Sequence, residues 1–97
     1  MRSHDLEVTE SARLFGDTHI LWMTMPPGMQ SAIPGQFLMT YVGEHTDPLL
    51  GRAFSIHRRR TTERGEEFAI LFDIVGRGTE WLSRREPGDT VRIVGPL

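Results

Sequence analysis

Turn signals recur so often along this chain that the segments between them have the length of strands. Gly16-Asp17, Pro26-Pro27-Gly28, Pro34-Gly35, Gly76-Arg77-Gly78 and Pro87-Gly88-Asp89 divide it. Glycine supplies backbone freedom at such points, and proline refuses to continue a helix or an inner strand. Between the turns lie runs rich in β-formers: Leu6 to Phe15, Thr18 to Met25, Gln36 to Val42, a shorter Arg52 to His57, Glu67 to Val75, and Thr90 to Val94. The clearest is Glu67 to Val75. There Phe68, Ile70, Phe72 and Ile74 fall on one face and Ala69, Leu71, Asp73 and Val75 on the other, the period of a strand. Gly43 to Gly51 reads as a polar connector, and Thr61 to Gly65, after Arg58-Arg59-Arg60, as a charged hairpin tip. Thr79 to Arg85 has room for two helical turns and ends in cations, which suit a helix C-terminus. Six strands and one short helix predict an all-β antiparallel barrel or sandwich. Closure removes exposed edges and favours the barrel, although periodicity does not distinguish the two.

A chain of 97 residues is the size of one domain. It has no cysteine, so it offers neither disulfides nor thiolate ligands for an iron–sulfur cluster or zinc. A net charge of −2 and a pI near 6.0 give no overall basic excess for nucleic acid. No apolar run approaches the roughly 20 residues of a membrane span, and the first residues lack the apolar core of a signal peptide. The expectation is a cytoplasmic domain with neither a nucleic-acid nor a membrane partner.

Two segments carry chemistry. In Arg52-Ala53-Phe54-Ser55, Arg52 and Phe54 share one face of a strand and Ala53 and Ser55 the other. A guanidinium can clamp a phosphate with paired donors, an aromatic ring can pack on a flavin, and a serine can bond its polar edge. An ordinary half-buried strand that begins with a surface arginine has the same composition. In Gly76-Arg77-Gly78-Thr79, glycines after a strong strand allow close backbone approach, and free N–H groups at a helix start attract anions. A glycine turn with Thr79 as a helix cap reads equally well. The third glycine of a dinucleotide fingerprint is missing, and no P-loop is present. His4, His19, His45 and His57 show no metal-ligand spacing, and Glu66-Glu67 face opposite ways on a strand. Trp22 reads as core or interface, and Trp81 as an anchor for the helix.

Taken in order, Pro34-Gly35-Gln36-Phe37, Asp47-Pro48-Leu49-Leu50-Gly51-Arg52-Ala53-Phe54-Ser55-Ile56, Val75-Gly76-Arg77-Gly78-Thr79-Glu80-Trp81-Leu82, Pro87-Gly88-Asp89-Thr90 and Gly95-Pro96-Leu97 resemble the flavin-binding domain of the ferredoxin-reductase superfamily. More narrowly, they are similar to the electron-transfer subunits of class B dihydroorotate dehydrogenases. The resemblance implies a six-stranded antiparallel Greek-key barrel over residues 1–97 that binds FAD. It implies that Arg52 pairs with the pyrophosphate and that Ala53, Phe54 and Ser55 lie along the isoalloxazine. It also implies that Leu71, Phe72 and Asp73 line the flavin and that Gly76, Gly78 and Thr79 hold the phosphates. The implied role is that of an electron-transfer flavoprotein domain in pyrimidine biosynthesis. It would pass electrons from a nicotinamide cofactor toward an iron–sulfur or partner flavin centre, with the NAD(P)H-binding domain and the [2Fe–2S] segment outside these residues. Its partner would be a catalytic subunit or a following nicotinamide-binding domain, and by itself it would not be a complete enzyme.

Three positions depart from the family pattern: Ala53 stands for the usual proline, Phe72 for an aromatic hydroxyl residue, and Asp73 for a common arginine. The reversed charge at Asp73 opposes a nearby phosphate unless it is paired. It favours the competing reading, a non-catalytic interaction barrel that has lost tight flavin binding.

Overall fold

The computed structural model describes residues 3–29, 31–41 and 51–97. The expected connector over residues 43–50, and Val42 at the end of the third expected strand, lie outside the described residues. The chain forms β1 (Ser3–Phe15), β2 (Thr18–Thr24), β3 (Phe37–Tyr41), β4 (Gly51–Thr62), β5 (Gly65–Asp73), α1 (Arg77–Ser83) and β6 (Thr90–Val94). The six strands close into an antiparallel barrel in the order β1-β2-β5-β4-β3-β6. β2 and β3, consecutive in sequence, are separated by β5 and β4, the crossover of a Greek key. The barrel reading therefore holds against the sandwich.

Alternation fills the interior. Leu6 and Val8 from β1, Leu21 and Met23 from β2, Leu38, Ile56, Phe68, Ile70 and Phe72, with Val91 and Ile93 from β6, form one buried cluster, and Leu82 of α1 joins it from the end of the barrel. Each such side chain contributes about 1.5–3 kcal/mol when fully withdrawn from water. A second, smaller cluster lies on the outer face of β2 and β5, where Ile20, Trp22 and Ala69 are buried and Ala12 and Leu71 pack beside them.

Two hairpins set the register. Gly16, at φ +51°, and Asp17 make a two-residue turn between Phe15 and Thr18. At the other hairpin Thr62 pairs with Gly65, and the Thr62 hydroxyl takes the Arg64 N–H at 3.1 Å.

The structure extends β4 well past the expected His57, through all three arginines to Thr62, so the hairpin tip is only Glu63-Arg64. A β-bulge between Ile56 and Arg58 makes this possible: Ile56 lies opposite Ile70, but Arg58 lies opposite Ala69 and Arg60 opposite Glu67. The extra residue places Arg58 and Arg60 on the outer face. Arg60 then stacks 3.8 Å from the Trp22 ring centroid, donates from Nε to Glu67 Oε1 at 2.8 Å and from a terminal nitrogen to Glu10 Oε1 at 3.0 Å. Glu67 is only 2% exposed, so this pair is part of the fold rather than a solvated tip. Arg59 pairs with Glu66 and donates to the Ala32 carbonyl at 2.7 Å. The helix starts two residues before the expected Thr79.

Candidate functional site

β4 and β5 bring Phe54 of the first segment beside Phe72. The Ile56–Ile70 pairing, carried toward the start of β4, sets Phe54 beside Phe72, and their ring centroids are 5.8 Å apart at 53°. Phe54 is partly buried against the interior, whereas Phe72 is 5% exposed. Arg52 lies on the same side of β4 as Phe54, opposite Thr40 of β3. Its guanidinium is exposed and donates only to the Gly51 carbonyl, at 3.0 Å, so no carboxylate pairs with it among the described residues. Ala53 and Ser55 are exposed on the opposite face, with Phe37 across from Ser55.

The β5 residues divide by parity. Phe72 turns inward, while Leu71 and Asp73 turn outward, Leu71 onto the outer cluster. Asp73 accepts the Thr18 hydroxyl at 2.6 Å across the β2–β5 pair. Its carboxylate therefore has a partner and lies on the face of β5 opposite Phe72.

Beyond β5, the Ile74 N–H bonds to the Asp17 carbonyl at 2.9 Å, pinning the connector to the β1–β2 turn. Gly76 is the N-cap of α1, and Thr79 reaches back to it. The Thr79 hydroxyl accepts the N–H groups of Val75 (2.8 Å) and Gly76 (3.1 Å), and lies 3.2 Å from the Gly76 carbonyl as a donor. Its hydrogen-bonding capacity is thus spent inside the turn. The first-turn N–H groups of Arg77, Gly78 and Thr79 have no partner within the helix. Gly78 is buried, and Gly76 is exposed with open space where a Cβ would stand.

One member of this region escaped sequence reading. His19, on β2 opposite Phe72, is 8% exposed, and its ring centroid lies 5.6 Å from that of Phe72. Its Nε2 is 2.8 Å from the Ser11 hydroxyl, and its buried Nδ1 has no partner among the described residues. Burial and then the charge of Arg13 lower its pKa from 6.5, so the ring is neutral at pH 7. A lone histidine without metal spacing gives no signal in sequence; its position opposite Phe72 does. His19, Phe72 and Phe54 thus form a row of rings across β2, β5 and β4.

No protein-family model matches the chain. Among curated proteins it is similar to the dihydroorotate dehydrogenase B (NAD(+)) electron transfer subunit of Desulforamulus reducens. Identity is 42% over 81 residues, covering 84% of this chain and 30% of that protein. The same subunit of Geobacillus kaustophilus is 38% identical over 64 residues, 66% of this chain and 24% of that protein. That of Fusobacterium nucleatum is 29% identical over 98 residues, 100% of this chain and 37% of that protein. The chain spans between 24% and 37% of the length of these relatives. Among solved structures, the NADH-dependent reduced ferredoxin–NADP oxidoreductase superposes with a TM-score of 0.69 at 27% identity, over 95% of this chain and 33% of that one. The cytochrome b5 reductase domain of Ulva prolifera nitrate reductase superposes at 0.71 with 19% identity, over 99% of this chain and 40% of that one, a likeness of fold. Among the described residues no helix is long and apolar enough to cross a membrane.

Proposed function

The chain belongs to the ferredoxin-reductase superfamily as its flavin-type barrel, and on that premise we propose that it holds FAD as the flavin module of an electron-transfer flavoprotein. The role we assign is that of the dihydroorotate dehydrogenase electron-transfer subunit, working between a nicotinamide cofactor and an iron–sulfur or partner flavin centre. The observation that carries this reading is Arg52, without a carboxylate partner among the described residues, on the same side of β4 as the Phe54–Phe72 ring pair.

The residues fit the group. Arg52 has donors free for the pyrophosphate, a charge-assisted contact that contributes about 1.5–3 kcal/mol. Phe54, backed by Phe72, offers a ring to the isoalloxazine, while Ala53 and Ser55, on the opposite face of β4, meet a ligand on this side only through main-chain atoms. At the turn after β5, the exposed Gly76 leaves the backbone approachable, and the N–H groups of Arg77, Gly78 and Thr79 are the donors for a phosphate. Thr79 contributes through its backbone, because its hydroxyl holds the turn closed. Leu71 and Asp73, turned outward, meet a ligand on the Phe72 side only through main-chain atoms. Asp73 lies on the outer face of β5, where it accepts the Thr18 hydroxyl and is turned away from the Phe72 side. Bound FAD would supply the redox chemistry, two-electron uptake from a nicotinamide cofactor and one-electron release; no side chain of this chain need act as acid, base or nucleophile.

The absorption spectrum of the protein purified without added cofactor tests the reading. A flavin band that is lost in Arg52→Ala is expected. A colourless protein that takes up neither FAD nor FMN would overturn the flavin reading and leave the non-catalytic interaction barrel, which the self-contained Thr79 turn favours.

A further inference from the structure

A buried histidine with one ring nitrogen unpaired among the described residues is a costly thing to keep in a barrel wall, since that atom has given up its water without gaining a partner. A phenylalanine would fill the same space beside Phe72 without that cost. His19 is held from one side by Ser11 and stands against Phe72, which stands against Phe54. We propose that His19 is a positioning residue for the flavin site, its uncharged ring holding Phe72 against Phe54, so that protonating it weakens flavin binding. This rests on the flavin reading above and adds to it a residue that the resemblance does not supply.

The surroundings of the ring bear this out element by element. From β1 come Ser11 and Arg13, and Arg13 is the charged side chain that acts on the imidazole. From β5 comes Phe72, which has no charge to offer an imidazolium beyond its ring face. The neighbouring carboxylate, Asp73, is on the other face of β5 and bonded to Thr18. Helix α1 also packs on β2, but its Glu80 pairs with Arg84. A proton on His19 therefore has no carboxylate among the described residues to compensate it and faces Arg13. The ring must then move toward water, and Phe72 loses the support that fixes its angle to Phe54. Ser11 is the second half of the device, because it fixes the ring through Nε2.

Two measurements test this on the intact protein. The first needs no ligand: the His19 ring proton signals and the Phe54 ring signals are followed by NMR from pH 8 to pH 5. Phe54 is expected to shift with the same midpoint as His19. The second is FAD affinity over the same range, read from flavin fluorescence, in the wild type, His19→Gln and Ser11→Ala. If the flavin-bound form disfavours the imidazolium by one pKa unit relative to the free form, wild-type affinity falls about tenfold across the titration. His19→Gln, neutral at every pH, is expected to bind with a flat profile, and Ser11→Ala to keep the pH dependence with weaker binding at pH 8. Phe54 signals that ignore the His19 titration, or a His19→Gln profile that matches the wild type, overturn the role while leaving FAD binding intact. Absence of FAD binding at every pH overturns the flavin reading and the role together.

Discussion

The two halves of β4 use one residue type in opposite ways. Beyond the bulge, Arg59 meets Glu66, and Arg60 meets Glu10, the buried Glu67 and the face of Trp22. Before it, Arg52 meets the carbonyl of its own neighbour. All eleven cationic side chains of the chain are arginines, so the contrast lies in what surrounds each guanidinium rather than in its chemistry. Where carboxylates and an aromatic close round it, an arginine becomes part of the fold. Where none does so among the described residues, as at Arg52, its donors face outward.

The contrast is broken most severely by removing Arg60. Arg60→Ala leaves Glu67 buried without its cation and uncovers Trp22. We expect a loss of about 3 kcal/mol in urea unfolding, the low end for a broken buried pair because the Arg60 side chain is itself 32% exposed. Arg52→Ala is the counter-experiment. FAD affinity should fall by about 1.5–3 kcal/mol, roughly 10- to 150-fold, with the unfolding free energy unchanged within about 0.5 kcal/mol. A stability loss at Arg52 equal to that at Arg60 would erase the distinction.

Thr79→Ala sharpens it at the neighbouring turn. Freeing the Val75 and Gly76 N–H groups should cost about 1–2 kcal/mol of stability, and Thr79→Ser should recover most of it. Loss of flavin affinity in Thr79→Ala but not in Thr79→Ser would tie the closed turn to the ligand. The smallest effect is on pH. The pKa of His19 is depressed in the folded state below 6.5, so the unfolded chain takes up a proton that the folded one refuses. Its contribution is complete above pH 6.5 and declines as pH falls below it, and His19→Phe should flatten that part of a stability–pH curve.

Much of the barrel was legible because alternation is a local signal. Phe68, Ile70 and Phe72 declared their shared face, Gly16-Asp17 declared a hairpin, and Thr90 to Val94 was read to the residue. The far half of β4 was not. Three consecutive arginines look like solvent-facing chain, and their partners Glu10 and Trp22 come from strands distant in sequence. The ordered motifs pointed to Arg52, Phe54 and the Gly76–Thr79 turn, but pairwise geometry was hidden. The meeting of Phe54 with Phe72 depends on a register that the bulge shifts. The Thr18 partner of Asp73 lies across a strand pair that no local pattern announces.

The bulge at His57 has a consequence for how this strand tolerates change in length. A strand counts in twos, and His57 is one odd residue inserted into that count. Phe54 and Ile56 have one parity, Arg58 and Arg60 the other. Deleting His57 would leave Ile56 opposite Ile70 and Arg58 opposite Ala69, now in an unbroken ladder, with every side chain on its own side. Deleting His57 and Arg58 together would set Arg59 opposite Ala69 and Arg60 opposite Phe68, turning Arg60 toward the oily interior and leaving Trp22 bare. Loss of one residue at the bulge should therefore be survived and loss of two should not, because the odd residue is the one that the ladder does not count.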